Sequence, residues 1–260
     1  MFGWYRAQVK QHGLIDATSL FCRVGWSRSR VNLANRLLPG KVSCPCCGWS
    51  GRRFHDFIQL GYSERNTACP QCDSYARHRS FYLWLSREYR LQKRRGVALI
   101  LAAEGALTPL WDEAGELTVF RMDIDSLRGS DFLGDLTKLP IAADSIDLLW
   151  CHHVLEHIGD DRAAMAELCR VLRPGHGELI VSVPMIPGDA TLEYGFADPA
   201  LNGHWRIYGD DFGDRLAESG FTVRAVDYRP PAADLARYGI VAEHFYICTK
   251  PESSHEHSRQ

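Results

Sequence analysis

The stretch Asp144-Ser-Ile-Asp-Leu-Leu-Trp-Cys-His-His-Val-Leu-Glu-His-Ile158 decides how this chain is read, with Gly134-Asp-Leu-Thr-Lys-Leu-Pro140 before it and Leu172-Arg-Pro-Gly175 after it. Ile146–Cys151 reads as a strand. The next segment, Asp161–Leu172, opens on acidic residues and stops at Arg173-Pro174-Gly175, which frames a helix. Leu179–Val183 is a second strand, so strand, helix and strand follow one another as in a parallel pair with a crossover helix. Working outward, Val97–Ala102 is a continuous apolar run, as a strand buried on both faces should be. Leu117–Met122 and the short Asp131–Gly134 follow it. Phe212–Ser219 is a helix closed by Gly220, and the strands Phe221–Tyr228 and Glu243–Thr249 end the pattern. The expected fold class is α/β, a doubly wound sheet over residues 97–250.

The chain before Val97 has another character. Residues 1–40 look helical up to Leu38-Pro39-Gly40, and 41–75 are rich in turn formers and cysteine. Residues 76–96 read as a basic linker helix, with Phe81, Tyr82, Leu85 and Tyr89 at helical spacing and Gly96 as its breaker. Across 260 residues the net charge is only -2. Residues 1–96, however, hold 17 Lys and Arg against 5 Asp and Glu, and the remainder 13 against 27. Opposite signs in the two parts predict two modules, the first suited to an anionic partner or to its own acidic neighbour. The 45% hydrophobic and 24% charged fractions are those of an ordinary globular chain. No apolar run approaches the ~18 residues of a membrane span, and MFGWYRAQVKQHG lacks the apolar core of a signal peptide. A cytoplasmic location is the expectation, with a disordered tail over 251–260.

Five of the nine cysteines crowd into 29 residues. Cys44-Pro-Cys46-Cys47 and, 21 residues on, Cys69-Pro-Gln-Cys72 form two C-x2-C knuckles. Each knuckle sets two thiolates on one side of a tight turn, and two knuckles complete a closed tetrahedral four-sulfur site. Cys44, Cys47, Cys69 and Cys72 are therefore the expected ligands of one structural zinc ion. Cys46 is an alternative to either member of the first pair, and His55 and His78 stand nearby. Cys22, Cys151, Cys169 and Cys248 lie singly in apolar surroundings and read as small core residues.

The order Gly134–Pro140, Asp144–Ile158, Leu172–Gly175 resembles the type 11 group of class I S-adenosylmethionine-dependent methyltransferases. That group runs an acid, a Leu-Pro, a Ser-Phe-Asp, a strand, a Leu-x-His and a Lys/Arg-Pro-Gly. The resemblance spans Val97 to about Thr249 and implies a Rossmann-like seven-stranded sheet with the last strand antiparallel, beside the small N-terminal zinc module. It also implies S-adenosylmethionine as cofactor. Asp123 matches the acid that accepts both ribose hydroxyls, with Asp125 as a near alternative and Ile124 between them. Asp135 matches the acid facing the adenine amino group, with Leu136 beside the ring, and His152 and His153 follow the fourth strand. The chain departs from the group at the glycine-rich turn. Ile100 stands where an acid belongs, and Ala102-Ala-Glu104-Gly105-Ala106 fills the turn, with Gly105 as the residue free to take positive φ cheaply. Glu104 is placed to replace the lost acid toward the methionine amino group.

Gly203-His-Trp-Arg-Ile-Tyr-Gly209 resembles a His-x-Arg-x-Tyr-Gly pattern of bacterial relatives with a similar cysteine module. The 184–202 stretch before it is long for an ordered loop and reads as a substrate lid. Glu193, His204, Arg206 and Tyr208 are thus the expected substrate contacts. Alternatively, the His and Arg cap the next helix or pair with Asp210 and Asp211. His152, His153, Glu193 or His204 is the expected proton acceptor, histidine being best matched to neutral pH, and His157 reads as structural. The acceptor is expected to be a small molecule or an anionic saccharide or lipid. Three other readings stand beside that one: an RNA methyltransferase gripping phosphates with the zinc module and with Arg77, Arg79, Arg87, Arg90, Lys93, Arg94 and Arg95 of the basic helix, a zinc-containing scaffold without cofactor, and a cofactor-binding enzyme of non-methyl chemistry.

Overall fold

The structure, a computed structural model, describes residues 2–125 and 129–252. The tail expected to be disordered falls, from 253 on, outside the described residues. The chain divides into two units, residues 1–89 with 229–242 and residues 90–228 with 243–260. No helix among the described residues is long and apolar enough to cross a membrane.

The first unit opens with α1 (Phe2–His12) and α2 (Leu14–Leu37), separated at Gly13, whose φ of 85° breaks the helical path. Two small antiparallel hairpins follow: β1 (Val42–Ser43) with β2 (Ser50–Gly51), and β3 (His55–Ile58) with β4 (Ser63–Ala68). Asn35 of α2 ties the helix to this segment, its Oδ1 accepting from the amides of Arg52 and Arg53. Next comes α3 (Ala76–Arg87). The basic helix expected to reach Gly96 is therefore shorter. Arg90 takes a left-handed φ of 56°, Leu91–Lys93 make one 3-10 turn, and a strand begins at Arg95.

The second unit is the predicted doubly wound sheet. Its elements are β5 (Arg95–Leu101), α4 (Thr108–Asp112), β6 (Glu116–Asp123), β7 (Phe132–Leu133), β8 (Leu148–His152), α5 (Asp161–Val171), β9 (Glu178–Ser182), β10 (Leu192–Asp198), β11 (His204–Ile207), α6 (Phe212–Glu218) and β12 (Thr222–Tyr228). After β12 the chain passes into the first unit through α7 (Ala232–Tyr238) before returning as β13 (Glu243–Thr249). The seven-stranded order is β12-β13-β9-β8-β5-β6-β7, with β13 antiparallel to both neighbours and the rest parallel. β8 is buried along its whole length, as are Ala98 to Leu101 of β5, which is why both read as apolar runs. Asp160 caps α5, accepting from the amide of Ala163, and Ala164, Met165, Leu168 and Val171 form its core face.

Two further features differ from the expectation. The stretch read as a lid loop is in part a strand, because β10 pairs antiparallel with β11. The domain expected to run unbroken over 97–250 is interrupted, since 229–242 belongs to the first unit. There Arg79, fully buried, donates to the carbonyls of Thr67, Ser74, Tyr238 and Gly239 while its guanidinium lies 3.9 Å from the Phe54 ring centroid. Gly239 has φ 55°, and a Cβ there would stand 2.7 Å from the Phe54 ring. Gly239→Ala is therefore expected to combine left-handed strain of about 1–2 kcal/mol with overpacking of about 1–3 kcal/mol. Faster hydrogen exchange across the first unit would register it; unchanged exchange would refute it.

Candidate functional site

The chain fills the β5-β6-β7 side of the sheet first and then the β8-β9 side, so the topological switch lies between β5 and β8. Ligands of doubly wound folds sit outside the strand ends at that point. A cleft of about 360 Å³ lies there, lined among others by Leu101, Ala102, Met122, Asp123, Ile124, Asp125, Gly134, Leu136, His153 and His157. That size falls in the range of small-molecule sites.

Asp123 closes β6 and is 7% exposed; its Oδ1 accepts from the amides of Ile124 (2.7 Å) and Asp125 (3.4 Å). Asp135 sits beside the cleft-lining Leu136 but is exposed. The amide and then the hydroxyl of Thr137 donate to its carboxylate and hold its pKa below the usual range.

The glycine-poor turn is built differently from the expectation. Ala102, not Gly105, takes the left-handed conformation, at φ 47°. Such a residue costs about 1–2 kcal/mol, offset here by anchors on both sides. The Ala102 amide donates to Met122 O (2.9 Å), and Glu104 Oε2 lies 2.6 Å from His152 Nδ1. Glu104 thus meets His152 rather than standing free to face a cofactor, and His152 is buried outside the cleft lining. His153, immediately after β8 with φ 52°, lines the cleft instead.

The substrate contacts expected of Arg206 and Tyr208 are not what the structure offers, because both side chains are buried. Arg206 donates to the carbonyls of Leu155 (3.3 Å), Ile158 (2.5 Å) and Gly159 (2.7 Å) and to Glu193 Oε2 (2.9 Å). The Tyr208 hydroxyl donates to Asp161 Oδ2 (2.8 Å), and burial raises its pKa. Glu193 also bonds Arg215, at 2.8 Å, so it belongs to this brace as well. Asp211 does pair with an arginine, but with Arg215 of α6. His204 alone of the four approaches the cleft, with its ring 4.7 Å from that of His157. Burial lowers its pKa and favours the neutral imidazole. His157, expected to be structural, is an exposed cleft residue, and the Glu156 side chain just before it is buried. A signal for them existed in the Leu-Glu-His run after β8, but the partner, His204, lies 47 residues further on.

In the first unit the two knuckles repeat one hydrogen-bond pattern. The Cys44 amide donates to Trp49 O and the Gly48 amide to Cys44 O; the Cys69 amide donates to Ser74 O and the Asp73 amide to Cys69 O. Gly48 and Asp73 both take positive φ. The turns bring the Sγ atoms of Cys44, Cys47, Cys69 and Cys72 within 4.8 Å of one another, with Cys44–Cys72 and Cys47–Cys69 at 3.7 Å. Zinc–sulfur bonds of about 2.3 Å in a tetrahedron require edges of about 3.8 Å, so this donor set fits zinc. Cys46 is buried outside the set. His55 Nε2 bonds Asn32 at 2.8 Å and His78 Nδ1 accepts from the Tyr75 amide, and neither ring lies in the cluster of four sulfurs.

A seven-stranded sheet in this order, with its cleft at the switch point, is a Rossmann-like, doubly wound fold with an antiparallel strand. Residues 102–181 match the family model Methyltransf_11, a methyltransferase domain. An O-methyltransferase of Pyrenophora dematioidea is 33% identical over 104 residues, covering 36% of this chain and 36% of that protein. A malonyl-[acyl-carrier protein] O-methyltransferase of a Methylovorus species is 33% identical over 97 residues, covering 36% and 32%. The match thus spans about a third of the length of these relatives. An S-adenosylmethionine-dependent methyltransferase structure from Mesorhizobium loti aligns at 16% identity and a TM-score of 0.46, over 64% of this chain and 97% of that one.

Proposed function

We propose that the second unit is an S-adenosylmethionine-dependent methyltransferase acting on a small molecule or an anionic saccharide or lipid intermediate. The observation that carries this reading is Asp123, a buried carboxylate closing β6 on the wall of the switch-point cleft. Two ribose hydroxyls donating to an ionised carboxylate contribute roughly 1.5–3 kcal/mol each. Leu136 supplies the apolar side of an adenine site with Asp135 next to it, and Ala102 brings its backbone close at the end of β5. When bound, the cofactor supplies an electrophilic methyl group on a sulfonium. The chain's part is to align the acceptor, exclude water and take a proton from a hydroxyl or amine. His153 suits the last task, because it lines the cleft while His152 is occupied by Glu104.

The small-molecule acceptor is favoured over RNA by the fate of the basic residues. Arg79 is buried, Arg87 pairs with Asp234 at 2.6 Å, Arg94 with Glu178 at 3.1 Å and Arg95 with Glu116 at 3.1 Å. Phe81, a possible stacking platform, is buried too. In the first unit a structural zinc ion on Cys44, Cys47, Cys69 and Cys72 would supply folding free energy and no chemistry, since four protein ligands close the site.

Calorimetric titration with S-adenosylmethionine and S-adenosylhomocysteine tests the reading. The wild type is expected to bind both at micromolar concentration, and Asp123→Ala at least tenfold more weakly, a loss of about 1.4 kcal/mol or more. Absence of binding by the wild type would replace the enzyme with the zinc-containing scaffold.

A further inference from the structure

Beside the cleft, the turn after β8 carries a single 3-10 turn, Leu155–His157, and His204 opens β11. Together they gather Glu156, His157 and His204, one ligand atom from each lying within 4.8 Å of the others. Glu156 is fully buried, and neither of its carboxylate oxygens accepts a hydrogen bond from the described residues. His153 Nδ1 stands 3.2 Å from Glu156 Oε1, at ion-pair distance but without hydrogen-bond alignment. Arg206 is buried against the same turn, yet its donors go to the carbonyls of Leu155, Ile158 and Gly159 and to Glu193. A carboxylate taken out of water without donors is costly unless a cation neutralises it.

We propose that Glu156, His157 and His204 bind one divalent transition-metal ion in the wall of the cleft. Two imidazoles and one carboxylate are a ligand set for zinc, iron and related ions. Nitrogen and oxygen ligands at about 2.0–2.2 Å stand roughly 3–3.6 Å apart, so the three groups need to close by little more than an ångström. Three protein ligands leave coordination positions open, unlike the four-sulfur site. His157 itself lines the cleft, which makes the ion accessible from it. Such an ion would bind an oxygen of the acceptor and lower the proton affinity of a hydroxyl there, with His153 next to it to receive the proton. The metal site follows from the residues alone, whereas the acceptor chemistry, an oxygen-bearing ligand, rests on the methyltransferase reading.

The test is the metal content of the full chain after equilibration with Zn2+ or, separately, Co2+ in metal-free buffer. The wild type is expected to hold two equivalents. With Co2+, one shows the intense sulfur-to-metal charge transfer of a thiolate site and the other only weak d–d bands. Glu156→Gln and His157→Ala are each expected to lose the second equivalent and keep the first. His157 is exposed, so its replacement leaves the fold unburdened, and circular dichroism verifies this. A wild type that holds one thiolate-bound equivalent and no second ion of zinc, cobalt, manganese or iron overturns the proposal. So does a second equivalent that survives both substitutions. Titration of S-adenosylmethionine on the same samples judges the methyltransferase reading separately, because the metal count does not depend on it.

Discussion

Cys44→Ser is expected to unfold the first unit. The strands around the cysteine cluster run only two to six residues, and its buried apolar core is Phe54 together with Cys44, Cys46 and Cys69 themselves. So little apolar surface does not stabilise a fold alone, whereas a structural zinc ion supplies about 10–16 kcal/mol in isolated zinc-finger peptides. Serine cannot replace the thiolate, and the remaining three sulfurs would hold the ion far more weakly. Zinc content should fall by one equivalent, and amide protection should disappear over residues 41–89. Protection over 229–242 should go with it, because the carbonyls of Tyr238 and Gly239 are held by Arg79. Cys46→Ser is the control, since Cys46 lies outside the ligand set and should retain the metal. If Cys44→Ser kept full zinc content and exchange protection, the four-thiolate assignment would be wrong.

Arg206→Met is expected to destabilise the second unit by about 3–5 kcal/mol, the usual cost of removing one partner from a buried charged network. Methionine keeps much of the volume but has no donor. The carbonyls of Leu155, Ile158 and Gly159 would then lie buried and unsatisfied, at about 1–3 kcal/mol each before relaxation. Glu193 would retain Arg215 as its partner. For a unit of this size the melting temperature should drop by roughly ten degrees. The affected turn carries Glu156 and His157, so the cleft wall should loosen as well. Arg206→Lys should not rescue, because a single ammonium cannot reproduce the planar fork that reaches three carbonyls. An unchanged melting temperature with weakened acceptor binding would instead restore the substrate-contact role that the His-x-Arg-x-Tyr-Gly pattern suggested.

Several of these features were legible in the letters. The apolar runs at 97–102 and 146–151 mark strands buried on both faces because a parallel sheet covered on both sides admits nothing else. Asp123 could be singled out because its place, the end of the second strand, is a position along the chain. The four cysteines that cluster could be told from Cys46 because C-x2-C spacing is a property of one tight turn. In all of these the physical cause acts within a few residues, or repeats with the period of a strand or helix.

Other features depend on neighbours that only folding supplies. Nothing in the letters of Arg79 or Arg206 distinguishes a cation bound for an anionic ligand from one bound for a nest of carbonyls. The nest of Arg79 includes Tyr238 and Gly239, some 160 residues away, and that of Arg206 lies on a turn about 50 residues earlier. Ala102 occupies the left-handed region because Met122 and the Glu104–His152 contact hold its turn on both sides, although its own side chain opposes that conformation. Glu156 and His157 gain their meaning from His204, which the β10–β11 hairpin carries to them. Local periodicity and turn chemistry therefore specify the elements and their order. The burial of a charge, and the company it keeps, are set by which distant segments the sheet brings to the same strand ends.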